Sequence, residues 1–239
     1  MAATGVSAAS ALRLATLGER IAKLHAQVGQ GILAERSKRA LAEAFGQFDT
    51  TLRQVAGATS GTEIRENYLL LGMLWREYRD MAGRPANHDT GRKVRERCEE
   101  VVWIAAKGSR LIQDGGRDGQ SAWALRASQA SVLSQRIPKL HLWRRWDLED
   151  DAAKRELRES EENLGRTLVA LREAPGLEGT LLAQLQSAES QLTFMLNAAK
   201  ELAKGAAAAK QLEFIAKTGD HILEATEQLR AAFEASPAI

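Results

Sequence analysis

From residue 8 onward the apolar positions step by three and four: Leu14, Leu17, Ile21, Leu24 and Val28. That spacing lines one side of an α-helix. Ala130, Leu133, Ile137 and Leu140 repeat the stripe 116 residues further on. No stretch alternates in the manner of a half-buried strand. β-branched residues are sparse beside Ala, Leu, Glu and Arg, which favour helices. The pattern predicts an all-α chain.

Breaks and caps divide it. A first helix is predicted from Ala8 to Val28, stopped by "GQG" at 29–31, and a second from Leu33 to Val55. "SGTE" at 60–63 offers Ser or Thr caps for a third, reaching Met81 before "AGRP". Asn87 or Asp89 caps a fourth that ends at "DGG" (114–116). The second half repeats the plan with helices over Ala124–Arg145, from a cap at Asp147, from Thr180, and from the break at Gly205 to about Phe233.

Two phrases recur as well. "GERIAKLHAQ" (18–27) matches "SQRIPKLHLW" (134–143), and "WIAAKGSRLI" (103–112) matches "FIAKTGDHIL" (214–223) at an offset of 111. Loss of five residues near "GRPANHDTG" reconciles the offsets. The expected architecture is two tandem antiparallel four-helix bundles related by internal duplication. They would span residues 8–117 and 122–235 and be joined near "GGRDGQS" (115–121).

Composition changes this picture little. With 239 residues, 44% of them hydrophobic, the chain has material for one large core or two small ones. Net charge is +2; residues 1–120 hold 18 Lys and Arg against 14 Asp and Glu, and the remainder 15 against 17. Neither half has the clustered basic excess of a nucleic-acid footprint, and "RKVRER" (92–97) spreads round a solvated helix face. No apolar run has the roughly 20 residues of a membrane helix. One Cys, Cys98, excludes an internal disulfide. The opening "MAATGVSAASALRL" lacks the basic and apolar regions of a signal peptide, and reads like the segment after a cleaved leader.

The repeated phrase resembles the first-helix motif of the PilJ-type domain, the N-terminal sensor domain of type IV pili methyl-accepting chemotaxis transducers. "VLSQRIPKL" (132–140) carries Leu133, Ser134, Gln135, Arg136 and Lys139; "TLGERIAKL" (16–24) keeps Leu17, Arg20 and Lys23. "GILAERSKRAL" (31–41) and "DLEDDAAKREL" (147–157) look like the family's turn into its second helix. The resemblance implies two extracytoplasmic helical bundles that sense rather than catalyse, in the periplasm. Related nitrate and nitrite sensor kinases hold the anion with a first-helix arginine, often at a dimer interface. That position is Ala15 in one copy and Ser131 in the other, and the preceding Arg survives as Arg13 beside Gln129. The anion motif is therefore degenerate, without the bidentate guanidinium grip.

Arg13, Arg20, Lys23, Arg136 and Lys139 are the candidate ligand-binding residues: cations flanking an apolar seam, suited to a small anion when partly buried. The alternative use of such side chains is to lie along the core edge and pair with a carboxylate. Trp143 and Trp146, at a helix end, are pocket or partner candidates, or else cap a core as Trp75 and Trp103 would in the first half. His25 and His141 are repeat equivalents, and protein partners are expected for both. Pro138 predicts a kink that opens a cavity or is tolerated as curvature. No nucleophile-elbow, phosphate-loop, zinc-protease or di-iron motif occurs, so neither an enzyme, a metal nor a cofactor is expected. The expectation is a non-enzymatic binding or sensing protein that recognises a small anion and signals to a protein partner or a homodimer. The rival is a helical adaptor without a small-molecule ligand.

Overall fold

The computed structural model describes residues 6–115, 122–203 and 207–235, and the expected joints at 116–121 and Gly205 lie outside them. The described residues form eight helices and no strands, so the chain is all-α. They are α1 (Ala8–Gly29), α2 (Ala34–Ala58), α3 (Thr62–Gly83), α4 (His88–Asp114), α5 (Ala122–Arg145), α6 (Asp151–Leu171), α7 (Gly179–Ala203) and α8 (Ala208–Ala235). No helix among them is long and apolar enough to cross a membrane.

Local chemistry sets the boundaries. Ser7 caps α1 by accepting from the Ser10 amide. Asn87 and Thr90 close a reciprocal capping box on α4. Two expected caps differ. Gly61, with φ near 114°, is the N-cap residue of α3, in place of Ser60 or Thr62. Asp150 rather than Asp147 caps α6, because Asp147 sits in the left-handed region (φ 53°) as the chain turns out of α5.

The two halves pack alike. α1 lies against α2 and α4, and α4 against α3, while α2 and α3 barely meet; α5 lies against α6 and α8, and α8 against α7. The halves then join along α1 and α5. Ser128 donates to the Ala9 carbonyl, Arg136 reaches Glu19, and Gln30 donates to the Leu142 carbonyl. Residue numbers climb together, so α1 and α5 run parallel with equivalent positions side by side. α4 and α8 run antiparallel to them: Ser109 donates to Ala8 and Cys98 faces Gly18, while Ser131 pairs with Thr226 and Gln135 with Gly219.

The consequence is one continuous buried apolar cluster through both halves, centred on α1 and α5. Between residues 8 and 27, α1 reaches solvent only at Ser10, Arg13 and Arg20. The simple apolar stripe therefore understates its burial, because α1 has neighbours on nearly every side. Trp75 is buried as expected, but Trp103 is 60% exposed and contributes no cap to the core.

Glycine sets the closest helix crossings. A Cβ on Gly18 would lie 3.0 Å from Val102 of α4. Ser134 occupies the corresponding place on α5, and there the glycine is on the other helix. A Cβ on Gly219 of α8 would come within 2.6 Å of the Ser134 carbonyl oxygen and of Pro138 Cγ. Pro138 thus opens no cavity on this side: α8 fills the space beside it. Gly219→Ala should lower stability by about 1–3 kcal/mol, since backbone has to move. Gly46→Ala, in open space on α2, should raise it by about 0.5–1 kcal/mol. Urea unfolding of the two variants measures both effects.

Candidate functional site

The seam between α1 and α5 holds charges that pair across it. Lys139 Nζ on α5 lies 2.5 Å from Glu19 Oε2 on α1, and Arg136 Nε lies 2.7 Å from Glu19 Oε1. Lys23, at the position equivalent to Lys139, reaches Gln135 Oε1 at 2.6 Å and also pairs with Asp220 of α8. Gln135 is the equivalent of Glu19, so the two lysines make the same crossing in opposite directions. Glu156 adds a second carboxylate to Arg136 at 3.3 Å.

Burial opposes each of these charges, and the partners decide the balance. Glu19 is disfavoured by burial, yet Lys139 and Arg136 hold its carboxyl below the ordinary range. Burial acts to lower Lys139, but Glu19 prevails and its ammonium is held above the usual value. For Lys23 burial prevails and pulls the ammonium down in spite of Asp220. Asp220, burial notwithstanding, is held below the carboxylate range by Lys23. Beside the seam, burial pushes the Cys98 thiol up to about 12, which makes it a poor nucleophile.

The outer flanks of the seam are grooves at matching places, with polar and charged side chains among their lining residues. One, of about 290 Å³, lies between α1, α2 and α8 and is lined by Arg13, Arg20, Arg36, Gln47 and Asp220. The other, of about 580 Å³, lies between α4, α5 and α6 and is lined by Arg110, Gln113, Gln129, Arg136, Asn163 and Thr167. Arg20 and Arg136, Arg13 and Gln129, and Gln47 and Asn163 are each 116 residues apart. In the first groove Arg20 Nε is buried with no acceptor, while Arg13 faces Glu227 at 3.9 Å; Asp220, Glu224 and Glu227 balance the arginines. No carboxylate lines the second groove, and Arg110 forms no ion pair among the described residues. The second groove is thus the more cationic.

Of the five basic candidates, Arg13, Arg20 and Arg136 line grooves, while Lys23 and Lys139 lie inside the molecule with protein partners. Trp143 is buried between two cations, Lys139 Nζ 4.2 Å and Arg95 Cζ 5.6 Å from its ring centre. Trp146 packs against Gly29 and Gly91, locking the end of α5 to α1 and α4. Neither tryptophan lines either groove. Sequence reasoning missed Arg36 and Arg110 as site residues, although they lie in the quoted stretches "GILAERSKRAL" and "WIAAKGSRLI". The matching amides Gln47 and Asn163 were the available signal.

Against known proteins, the chain matches no family model, no curated protein and no solved structure.

Glu19→Gln should cost about 3–5 kcal/mol, because it leaves Lys139 buried and without its counter-charge. Glu19→Leu combined with Lys139→Leu should recover most of that loss. The sign with pH is also fixed. The Glu19 and Asp220 carboxyls titrate lower when folded, so the unfolded chain takes up protons first. The stability they contribute is complete above about pH 4.5 and is lost as pH falls further. Urea midpoints between pH 6 and pH 3 should fall more steeply for the wild type than for Glu19→Gln.

Proposed function

We propose that this is a non-enzymatic sensing or binding protein of the PilJ type, built by duplication of a four-helix unit and acting in the periplasm. Its ligand is a small anion held in the grooves that flank the α1–α5 seam. The single observation that carries this reading is the groove around Arg110, where amides and hydroxyls converge and no carboxylate is among the lining residues. An unbalanced guanidinium there attracts an anion, and the neighbouring amide and hydroxyl donors can complete its hydrogen bonds.

The duplication is supported by burial as well as by the phrase. At the offset of 111, exposed Trp103 and Phe214, buried Ile104 and Ile215, and buried Gly108 and Gly219 fall together. The groove at Arg20 is then the second copy of one site, partly neutralised by the acids of α8. Arg136 is committed to Glu19 and Glu156, which makes Arg110 the freer cation. A signal would pass as a small displacement along α1 and α5, since α1 borders both grooves and α5 the second.

A second reading, a helical adaptor, has its own observation: Leu69 and Met73 on α3 and Trp103 on α4 are at least half exposed. The two readings separate in a thermal melt with nitrate, phosphate and sulfate. An anion at ten times its Kd should raise the midpoint by about 3–5 °C through mass action. Arg110→Ala, an exposed position, should abolish the rise, and Arg20→Ala should reduce it. A melt that none of the three anions moves, or that moves equally in Arg110→Ala, contradicts the proposal.

A further inference from the structure

We propose that the groove between α5, α6 and α7 binds a small amphiphilic organic anion, at a site separate from the arginine grooves. Two histidines at equivalent positions differ here. His25 is satisfied by the protein: Nδ1 lies 3.1 Å from the Ala82 carbonyl oxygen and Nε2 3.3 Å from Thr90 Oγ1. His141, 116 residues on and only 3% exposed, makes no hydrogen bond at either nitrogen among the described residues. Its nearest acidic group is Glu161, 3.5 Å from Nε2. An imidazole carries at least one N–H, and a buried donor left without an acceptor is destabilising.

His141 lines a groove of about 600 Å³. The first half has a groove of about 410 Å³ at the corresponding place, lined by Phe45, Asp80, Gly83 and Arg84, and His25 is not among its lining residues. Phe48 stacks on Trp75 with ring centres 3.9 Å apart, and Phe45 meets the same ring edge-on at 5.9 Å. The second half carries Glu161 in place of Phe45 and Leu164 in place of Phe48. Glu161 in place of Phe45 puts a carboxylate in the second groove, and His141 joins its lining.

The lining sets the chemistry of the occupant. Leu157 and Leu196 supply an apolar wall, and Arg158 and Lys200 stand among the lining residues without ion pairs among the described residues. Glu149 faces Arg144 at 3.7 Å. The lining holds Arg144, Lys154, Arg158 and Lys200 against Glu149, Glu161 and Glu162, so four cations meet three carboxylates and the balance is positive by one. The acidic head of the ligand sits between Arg158 and Lys200, its apolar body lies along the leucines, and the His141 N–H donates to its polar atoms. The groove at Arg110 also has apolar lining, Leu12, Leu125, Val132 and Leu133, so the Arg110 variant is what separates the two sites.

Calorimetric titration with decanoate tests the site, with octylamine as the arm of opposite charge. Decanoate should bind saturably at one site per chain, and octylamine should neither bind there nor compete. Arg158→Glu, at an exposed position, should weaken decanoate at least tenfold. Ala199→Trp, which fills the groove, should abolish binding, and Arg110→Ala should leave it unchanged. Non-saturating uptake of decanoate, tighter binding of octylamine, or wild-type affinity in Arg158→Glu would overturn the proposal. None of these outcomes bears on the inorganic-anion melt, so the two sites fail separately.

Discussion

A buried lysine is tolerable only where a carboxylate or a strong acceptor meets it, and α1 and α5 each carry one at the same helical position. Lys139 is met by Glu19 from the opposite helix. Lys23 meets Gln135, an amide where the other copy has an acid, and the missing charge comes from Asp220 of α8. This difference in one side-chain atom type ties α8 to α1 as well as to α5. A slip of either helix along the seam would strand a charge in the interior at a cost of several kcal/mol. The buried pairs therefore fix the parallel, in-register alignment, much as single polar core residues fix register in coiled coils.

From that alignment the rest of the architecture follows. With α1 and α5 side by side, each is covered by the second and fourth helices of its own half, and each keeps one narrow polar face. On α1 that face carries Arg13 and Arg20; on α5 it carries Gln129 and Arg136. The grooves occupy these faces, which explains why their lining residues correspond by sequence offset. Where the copies diverge, so do the cavities. Acids of α8 neutralise the first groove while Arg110 of α4 leaves the second cationic, and the groove at Phe45 has as its counterpart one lined by Glu161 and His141.

Helix number and most boundaries were legible in the sequence, because apolar spacing and glycine punctuation act locally. α1 and α4 begin where Ser7 and Asn87 cap them, and Gly31 and Gly176 hold positive φ in the turns. The Asp147 cap failed for a local reason that composition hides: the turn out of α5 takes three more residues before a free carboxylate meets an amide. The union of the halves was not legible. Apolar periodicity reports that α1 is buried, and it cannot report that a second bundle does part of the burying. For Lys23 and Lys139 the sequence left two uses open, an anion ligand or a carboxylate partner, and the acids that decide for the second lie 197 and 120 residues distant. Arg110 and His141 became candidates only through neighbours far along the chain.

The central claim is that the charged α1–α5 seam makes both halves one cooperative body. Differential scanning calorimetry tests it most directly. The account predicts a single transition with equal calorimetric and van't Hoff enthalpies. Two resolved transitions, each with roughly half the total enthalpy, would contradict it.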